Sequence, residues 1–502
     1  MKKVFAKMSI AALALLAAGC STVNDGGYMD GMYGYYAANE PMGTLIGPIG
    51  EGKGDRFNEY ADNPFVSTAL QNTSTFSVDA DGASYAIVRR YVSEGRTVQP
   101  ASVRIEELLN YFTFDYAQPT DEHSVAVNAE LGTCPWNREH LLLRLGLKGK
   151  ELTPDEEPLA NYVFLVDVSG SMNSSDKLEL LKSGLMELLH HLRPQDRISL
   201  ITYSGEVKKL LESTPVSETA TIEAAISKLR ASGSTYGEKA LQMAYEEALT
   251  NYDPAKNNRV ILGTDGDFNV GVTTTDALEE MVENYARQGI YMTCLGFGRG
   301  NLNDAMMERV SNVGNGTYYY IDSEDEMMKV FVHERQRFVS VANDVKCQLT
   351  FDSTRVSQYR LIGYENRILD KEDFEDDTKD AAEIGAGQTI TALYELVPAT
   401  DEALVGAGNT FATFDVRYKK TLGDKSLALS LPLETGIQQE TSANFSLAAG
   451  VAAYGMLLRK SPYKGEATVG MAKALVEASL SFDPQGRRAQ LLKLLGQLKL
   501  DE

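Results

Sequence analysis

Histidine is scarce in this chain, with five residues in 502: His123, His140, His190, His191 and His333. Cysteine is scarcer still, at four, and no two stand in a C-x-x-C spacing. Zinc-ribbon and thioredoxin-type chemistry therefore have no support. Long Lys/Arg runs are missing beyond the first few residues, and the formal net charge is -22. Nucleic acid is excluded as a partner, because phosphate binding needs a concentrated basic surface. No apolar run has the length to span a bilayer. A chain this long has room for two or three domains, each with a sizeable core.

The N-terminus carries an export signal. Lys2, Lys3 and Lys7 give a basic start, and Met8 to Ala18 give an apolar core too short for a transmembrane helix. It ends in LLAAGC, which resembles a bacterial lipobox with cleavage after Gly19 and lipid on Cys20. Ala17 stands where the usual leucine would be, with Leu16 one step back. An ordinary secretory signal with a chance cysteine is the alternative. Lipid on Cys20 would anchor the protein to a membrane without spanning it. Cys294, in the apolar run IYMTCLGFG, reads as a buried small residue. Cys134 and Cys347 could pair in an oxidising compartment, but distance in sequence does not decide it.

Residues 20–58, rich in Gly, Tyr, Met, Asn and Pro, read as a flexible tether. Within it GPIGEGKG approaches a phosphate loop at Gly47, Gly52 and Lys53. Gly54 replaces the required Ser/Thr and no apolar strand precedes it. Folding is expected from Tyr60, with helices over SYAIVRRYVSEG and ASVRIEELLNYF, then strands over SVAVNAEL and HLLLRLGLKG joined by CPWN. From about Asn161 strand-like runs alternate with amphipathic helices: YVFLV, RISLITY, NRVILGT, IYMTCLGFG and TYYYID. In DKLELLKSGLMELLHHL, Leu178, Leu181, Leu185, Leu188 and Leu192 line one face, with Ser174 or Ser175 as cap. Such alternation implies a largely parallel sheet covered on both faces. After Phe338 the texture becomes antiparallel β and then helical.

Ligands of a doubly wound sheet collect at the carboxyl ends of its strands. Asp167 follows YVFLV in the stretch VFLVDVSGSM, and Asp265 follows VILGT. Thr235 lies on a loop opening a helix between them. Asp167, Ser169, Ser171, Thr235 and Asp265 offer only oxygen donors, a set suited to Mg²⁺, Mn²⁺ or Ca²⁺. A separate calcium loop at Asp265, Asp267 and Asn269 fails, since Val270 stands where glycine should be and Asp276 replaces the closing Glu. Asp79 and Asp81 fail because Arg90 holds the twelfth place.

The five residues resemble the metal-ion-dependent adhesion site of von Willebrand factor A domains: D-x-S-x-S on the first loop, Thr on the second and Asp on the third. STFSVDADGASYAIVRRYVSEG, VRIEELLNYF, CPWN, YRLIGYENRILDKEDF and AAEIGAGQTITALYELVP are similar to regions flanking that domain in bacterial lipoproteins of the YfbK type. Gly82 stands where that family more often has Thr. The resemblance runs from Tyr60 to the C-terminus. It implies an α/β fold: a doubly wound, mostly parallel, Rossmann-like sheet inserted in a β-sandwich-like flanking domain with a helical C-terminal end. The expected divisions are 1–19 signal, 20–58 tether, 59–155 N-terminal flank, 156–340 A domain and 341–502 C-terminal flank.

It further implies no enzyme, a divalent cation with Mg²⁺ first and Mn²⁺ or Ca²⁺ as alternatives, and a protein partner presenting an acidic residue. The expected place is the bacterial cell envelope, lipid-anchored, the outer membrane ahead of the inner. Two other readings stand beside this one. One is an envelope scaffold with a purely structural metal. The other is a hydrolase using Ser169 or Ser171, which needs a base that no predicted loop supplies. The helix expected over Glu324 to Phe338 is a candidate for movement on ligand binding.

Overall fold

The computed structural model describes residues 48–49, 54–233, 237–266, 275–406, 408–437 and 440–498. The expected signal, Cys20 and most of the expected tether lie outside them. The chain begins with β1 (Pro48–Ile49) paired to β2 (Phe57–Asn58), then β3 (Val66–Ser67), β4 (Thr73–Ser77), α1 (Ala83–Ser93) and α2 (Ile105–Asn110). Strands β5 (Val125–Thr133) and β6 (Leu141–Gly149) follow. Packing starts earlier than Tyr60. Asp55 pairs with Arg90 and accepts from Gly300 N at 2.8 Å, and Phe57 is buried. The end of the expected tether is thus docked, by a polar anchor that hydropathy does not reveal.

The α/β block runs β7 (Ala160–Asp167), α3 (Leu178–Leu189), β8 (Arg197–Tyr203), β9 (Val207–Pro215), α4 (Thr219–Ser227), α5 (Glu238–Thr250), β10 (Asn257–Thr264), α6 (Thr275–Ala286), β11 (Ile290–Phe297), α7 (Asp304–Val313), β12 (Tyr318–Ile321) and α8 (Glu324–Met328). The strand order is β12-β11-β10-β7-β8-β9, parallel except for β9 at the edge. Alternation along β7 explains its unbroken apolar run. Val163 and Leu165 enter one core with Tyr245 and Val282, while Tyr162, Phe164 and Val166 enter another with Leu181 and Phe331. Two helical layers therefore need both faces of the strand.

Helix α3 begins at Leu178 with Lys177 in the cap position, and neither Ser174 nor Ser175 caps it. Ser174 Oγ donates instead to Asp176 at 2.6 Å. The helix expected over 324–338 is broken: α8 passes into a π turn at Lys329–His333 and a 3-10 turn at Arg335–Phe338.

The remaining strands are β13 (Ser340–Phe351), β14 (Val356–Ile362), β15 (Ile368–Leu369), β16 (Ile384–Gly385), β17 (Thr389–Pro398), β18 (Thr410–Lys419) and β19 (Leu427–Glu434). One sheet is ordered β15-β4-β13-β18-β19 and the other β3-β14-β17-β6-β5. Each mixes strands from before and after the α/β block. Their inner faces share a core in which Phe76 and Phe351 meet Tyr394 across the layers. The block is thus inserted between β6 and β13. Entry and exit adjoin, since a Cβ on Gly149 would lie 3.2 Å from Val341. The chain ends in α9 (Ala443–Arg459), α10 (Val469–Ala478) and α11 (Arg487–Leu495). Ser442 and Thr468 cap α9 and α10 by accepting from Phe445 N and Met471 N. Cys134, Cys294 and Cys347 are separate, buried thiols, so Cys134 and Cys347 do not pair.

Candidate metal centre

The chain leaves β7 for β8 on one side and returns to its other side as β10. The carboxyl end of β7 is therefore the place where connections diverge, the position at which such sheets collect ligands. Asp167 is the last residue of β7 and is fully buried. Its Oδ1 accepts from Ser169 N at 2.8 Å, and its Oδ2 accepts from Thr264 Oγ1 at 3.1 Å. The loop then turns through a 3-10 segment, Gly170–Met172, pinned by the buried side chain of Met172. That turn brings Ser169 Oγ and Ser171 Oγ to 2.9 Å from each other. Ser169 is buried, whereas Ser171 is exposed at the mouth.

The second loop is tied to the first by its backbone. Ser232 N donates to Val168 O at 2.7 Å, and Gly170 N donates to Gly233 O at 3.0 Å. Thr235 lies outside the described residues, two positions beyond this tie. The third loop begins with Asp265, fully buried just after β10. Gly266 follows with φ +94, and a Cβ there would collide with Asn303 N. Only glycine fits that turn. Asp267 and Asn269 lie outside the described residues.

Asp167, Ser169, Ser171 and Asp265 are thus gathered at one end of the sheet. Two residues that the sequence reading passed over complete their surroundings. Thr264 bridges to Asp167, and Lys177 Nζ donates to Asp265 Oδ2 at 2.9 Å and to Ser171 O at 3.0 Å. The signal for Thr264 was its place directly before Asp265. Lys177 had no local signal. Burial pushes the Asp167 carboxyl up to about 6, against the hydrogen bonds from Ser169 and with help from Asp265. Asp265 is held below the ordinary carboxylate range despite its burial, by Lys177 and Asn301. Two carboxylates with neutral hydroxyls form a hard oxygen set that fits a divalent cation.

No described hydrogen bond joins a histidine to Ser169 or Ser171. His123 meets Tyr418, His140 meets Glu395, and His190 and His191 lie by Glu187. Lys177 is the basic side chain beside Ser171, but it bonds the backbone carbonyl and a carboxylate, not Oγ. A serine–lysine dyad needs the hydroxyl as partner.

A second acidic group, Asp79, Asp81 and Glu107, has carboxylate oxygens within 4.8 Å of one another and is fully buried. Arg367 Nε donates to Asp79 Oδ2 at 2.9 Å, Arg104 pairs with Glu107, and Tyr318 N donates to Asp81 at 2.7 Å. Burial raises Asp81 and Glu107 well above the carboxylate range. This group reads as a charged clasp between α1, α2 and β12.

Three family models match the chain. One described as "von Willebrand factor type A domain" covers residues 161–333, one described as "Uncharacterized protein YfbK, C-terminal" covers 336–500, and one described as "von Willebrand factor" covers 51–144. The chain is 38% identical to YfbK of Escherichia coli (strain K12) over 463 residues, covering 88% of this chain and 80% of that protein. It is 30% identical to inter alpha-trypsin inhibitor heavy chain 4 of Mus musculus over 203 residues, 38% of this chain and 21% of that one. A solved von Willebrand factor type A protein from Catenulispora acidiphila aligns with 76% of this chain and 91% of its own, at 15% identity and a TM-score of 0.44.

Proposed function

The chain belongs to the YfbK family and carries a von Willebrand factor A domain, and from that premise we propose that it binds a protein partner through a divalent cation. Asp167, Ser169, Ser171, Thr235 and Asp265 would hold the ion, and an acidic residue of the partner would complete its shell. When bound, the ion supplies an electrophile for that carboxylate. The observation behind this reading is the Ser169–Ser171 pair, two hydroxyls 2.9 Å apart beside Asp167 with Ser171 at the open mouth. Hydroxyls bring oxygen without adding negative charge to that of the two carboxylates. Mg²⁺ is the first choice for so compact a set, with Mn²⁺ or Ca²⁺ as alternatives.

The scaffold reading is weaker, because Lys177 already offsets the charge of Asp265 without any metal. The hydrolase reading finds no base on either serine hydroxyl among the described residues. The export signal and the lipobox-like LLAAGC support a lipid on Cys20 and a place in the bacterial envelope, the outer membrane first. Capture of partners from envelope extract tests the whole reading in three arms: Mg²⁺, chelator, and Asp167→Ala with Mg²⁺. A partner should be retained in the first arm alone. The same proteins in all three would end the proposal.

A further inference from the structure

We infer that Lys177 is a fixed counter-charge which neutralises Asp265 and so leaves the ion with net positive character toward an incoming carboxylate. The inference rests on the metal-site reading above and goes on to say which residue sets that site's charge. Lys177 stands in the cap position of α3 and is 8% exposed. Its ammonium is held from three sides: Ser171 O at 3.0 Å, Asp265 Oδ2 at 2.9 Å and Asn301 Oδ1 at 3.4 Å. It links the first loop to the third, 88 positions apart.

The stem of the lysine is boxed in. Gly298 at φ +76 presents its bare Cα to it, and a Cβ there would overlap Lys177 Cε. Arg90 Nη1 donates to Gly298 O at 2.9 Å and holds that backbone in place. An ammonium so enclosed cannot swing aside when an ion arrives. It is a resident of the site and not a stand-in for the metal.

The charges then decide the consequence. A divalent ion beside Asp167 and Asp265 would be neutralised by them, and an acidic partner would gain little. With Lys177 included, the ion, Asp167, Asp265 and Lys177 sum to one net positive charge. The arrangement sacrifices affinity for the metal and gains affinity for an anion.

The test uses Mn²⁺ as the ion and acetate as the carboxylate, on the full folded chain. Calorimetry reads Mn²⁺ affinity, and water-proton relaxation reads displacement of Mn²⁺-bound water by acetate. In Lys177→Met the stem still fills the space against Gly298 while the charge is gone. Mn²⁺ binding should tighten by about tenfold or more, and acetate should be needed at about tenfold higher concentration, as befits one lost unit charge near the ion. Adding Asp265→Asn to Lys177→Met removes a proposed ligand together with one negative charge, so Mn²⁺ affinity should fall back from the tightened value of the single variant. Lys177→Gln serves as a second neutral variant. Unchanged or weaker Mn²⁺ binding in a folded neutral variant overturns the inference while leaving the metal site standing. If neither neutral variant folds, the lysine serves the fold and the inference falls. If wild type binds no Mn²⁺, the metal-site reading falls and takes this one with it.

Discussion

Arg89 Nη1 donates to Glu326 Oε2 at 2.8 Å, joining α1 of the flanking region to α8, the last helix of the A domain. Tyr111 Oη donates to the same oxygen at 2.8 Å, and Arg487 reaches Asp325 O at 2.9 Å. The helix that closes the A domain is thus held by groups from both flanks. Arg89→Ala leaves Glu326 buried with less compensation, so it should cost about 3 kcal/mol, in the range for a broken buried pair. Amide exchange over 324–333 should quicken in the variant. Equal exchange in both proteins would show that the tie does not restrain the helix.

Metal binding should register as stability. A ligand that binds only the folded state adds about 2.7 kcal/mol at one hundred times its Kd. Thermal unfolding of the wild type should therefore move upward on titration with Mg²⁺. Asp167→Ala should show no such movement, because its buried carboxylate is the main charged ligand in the proposed set. A full Mg²⁺ response in the variant would place the ion elsewhere.

Glu106 gives a pH dependence independent of the metal. It is buried in α2, and burial, Glu365 and Asp79 push its carboxyl up to about 8. The folded state then holds a proton that the unfolded state releases near its ordinary pKa of about 4.5. This contribution is fully present below about pH 4.5 and is lost as pH rises to about 8. Denaturant unfolding across that window should show stability falling on the order of 1 kcal/mol per pH unit. Glu106→Gln should flatten the slope; an unchanged slope would assign it to other groups.

Asp55 should matter more than its position within the expected tether suggests. Its carboxylate meets Arg90, Tyr91 Oη at 2.9 Å, and the backbone N–H groups of Gly300 and Leu302 at 2.8 and 3.2 Å. Asp55→Ala leaves Arg90 buried without its carboxylate and should cost about 3 kcal/mol. Exchange over 298–303 should rise most. A loss below about 0.5 kcal/mol, the scale of ordinary surface changes, would show the contact to be incidental.

Much of the fold was legible because it depends on local patterns. The apolar runs of β7, β8, β10, β11 and β12 have to be buried on both faces, and their alternation with helices leaves few topologies. β9 escaped notice because it is an edge strand with exposed Lys208, Lys209 and Glu212, so no hydrophobic run marks it. The break after Met328 escaped because the apolar spacing continues through it. At the site, Asp167, Ser169 and Ser171 were readable from spacing on one loop. Lys177 was not, since its meaning comes from Asp265 on a distant strand end. Asp55 was hidden likewise, as a lone carboxylate in polar sequence whose partners lie 35 and 245 positions away.

The docking of Asp55 has a mechanical consequence. The loop it grips, 298–303, contains Gly298, which encloses the Lys177 stem, and Asn301, which meets its ammonium. A pull on the chain ahead of Asp55, once it has parted the short β1–β2 pair, is therefore borne by the Asp55–Arg90 pair and this loop. Load would reach the rim of the proposed metal centre before it reaches either β-sheet of the sandwich. A protein held by its N-terminal segment would feel tension at the very loop that encloses Lys177, the residue inferred to set the charge of the proposed site.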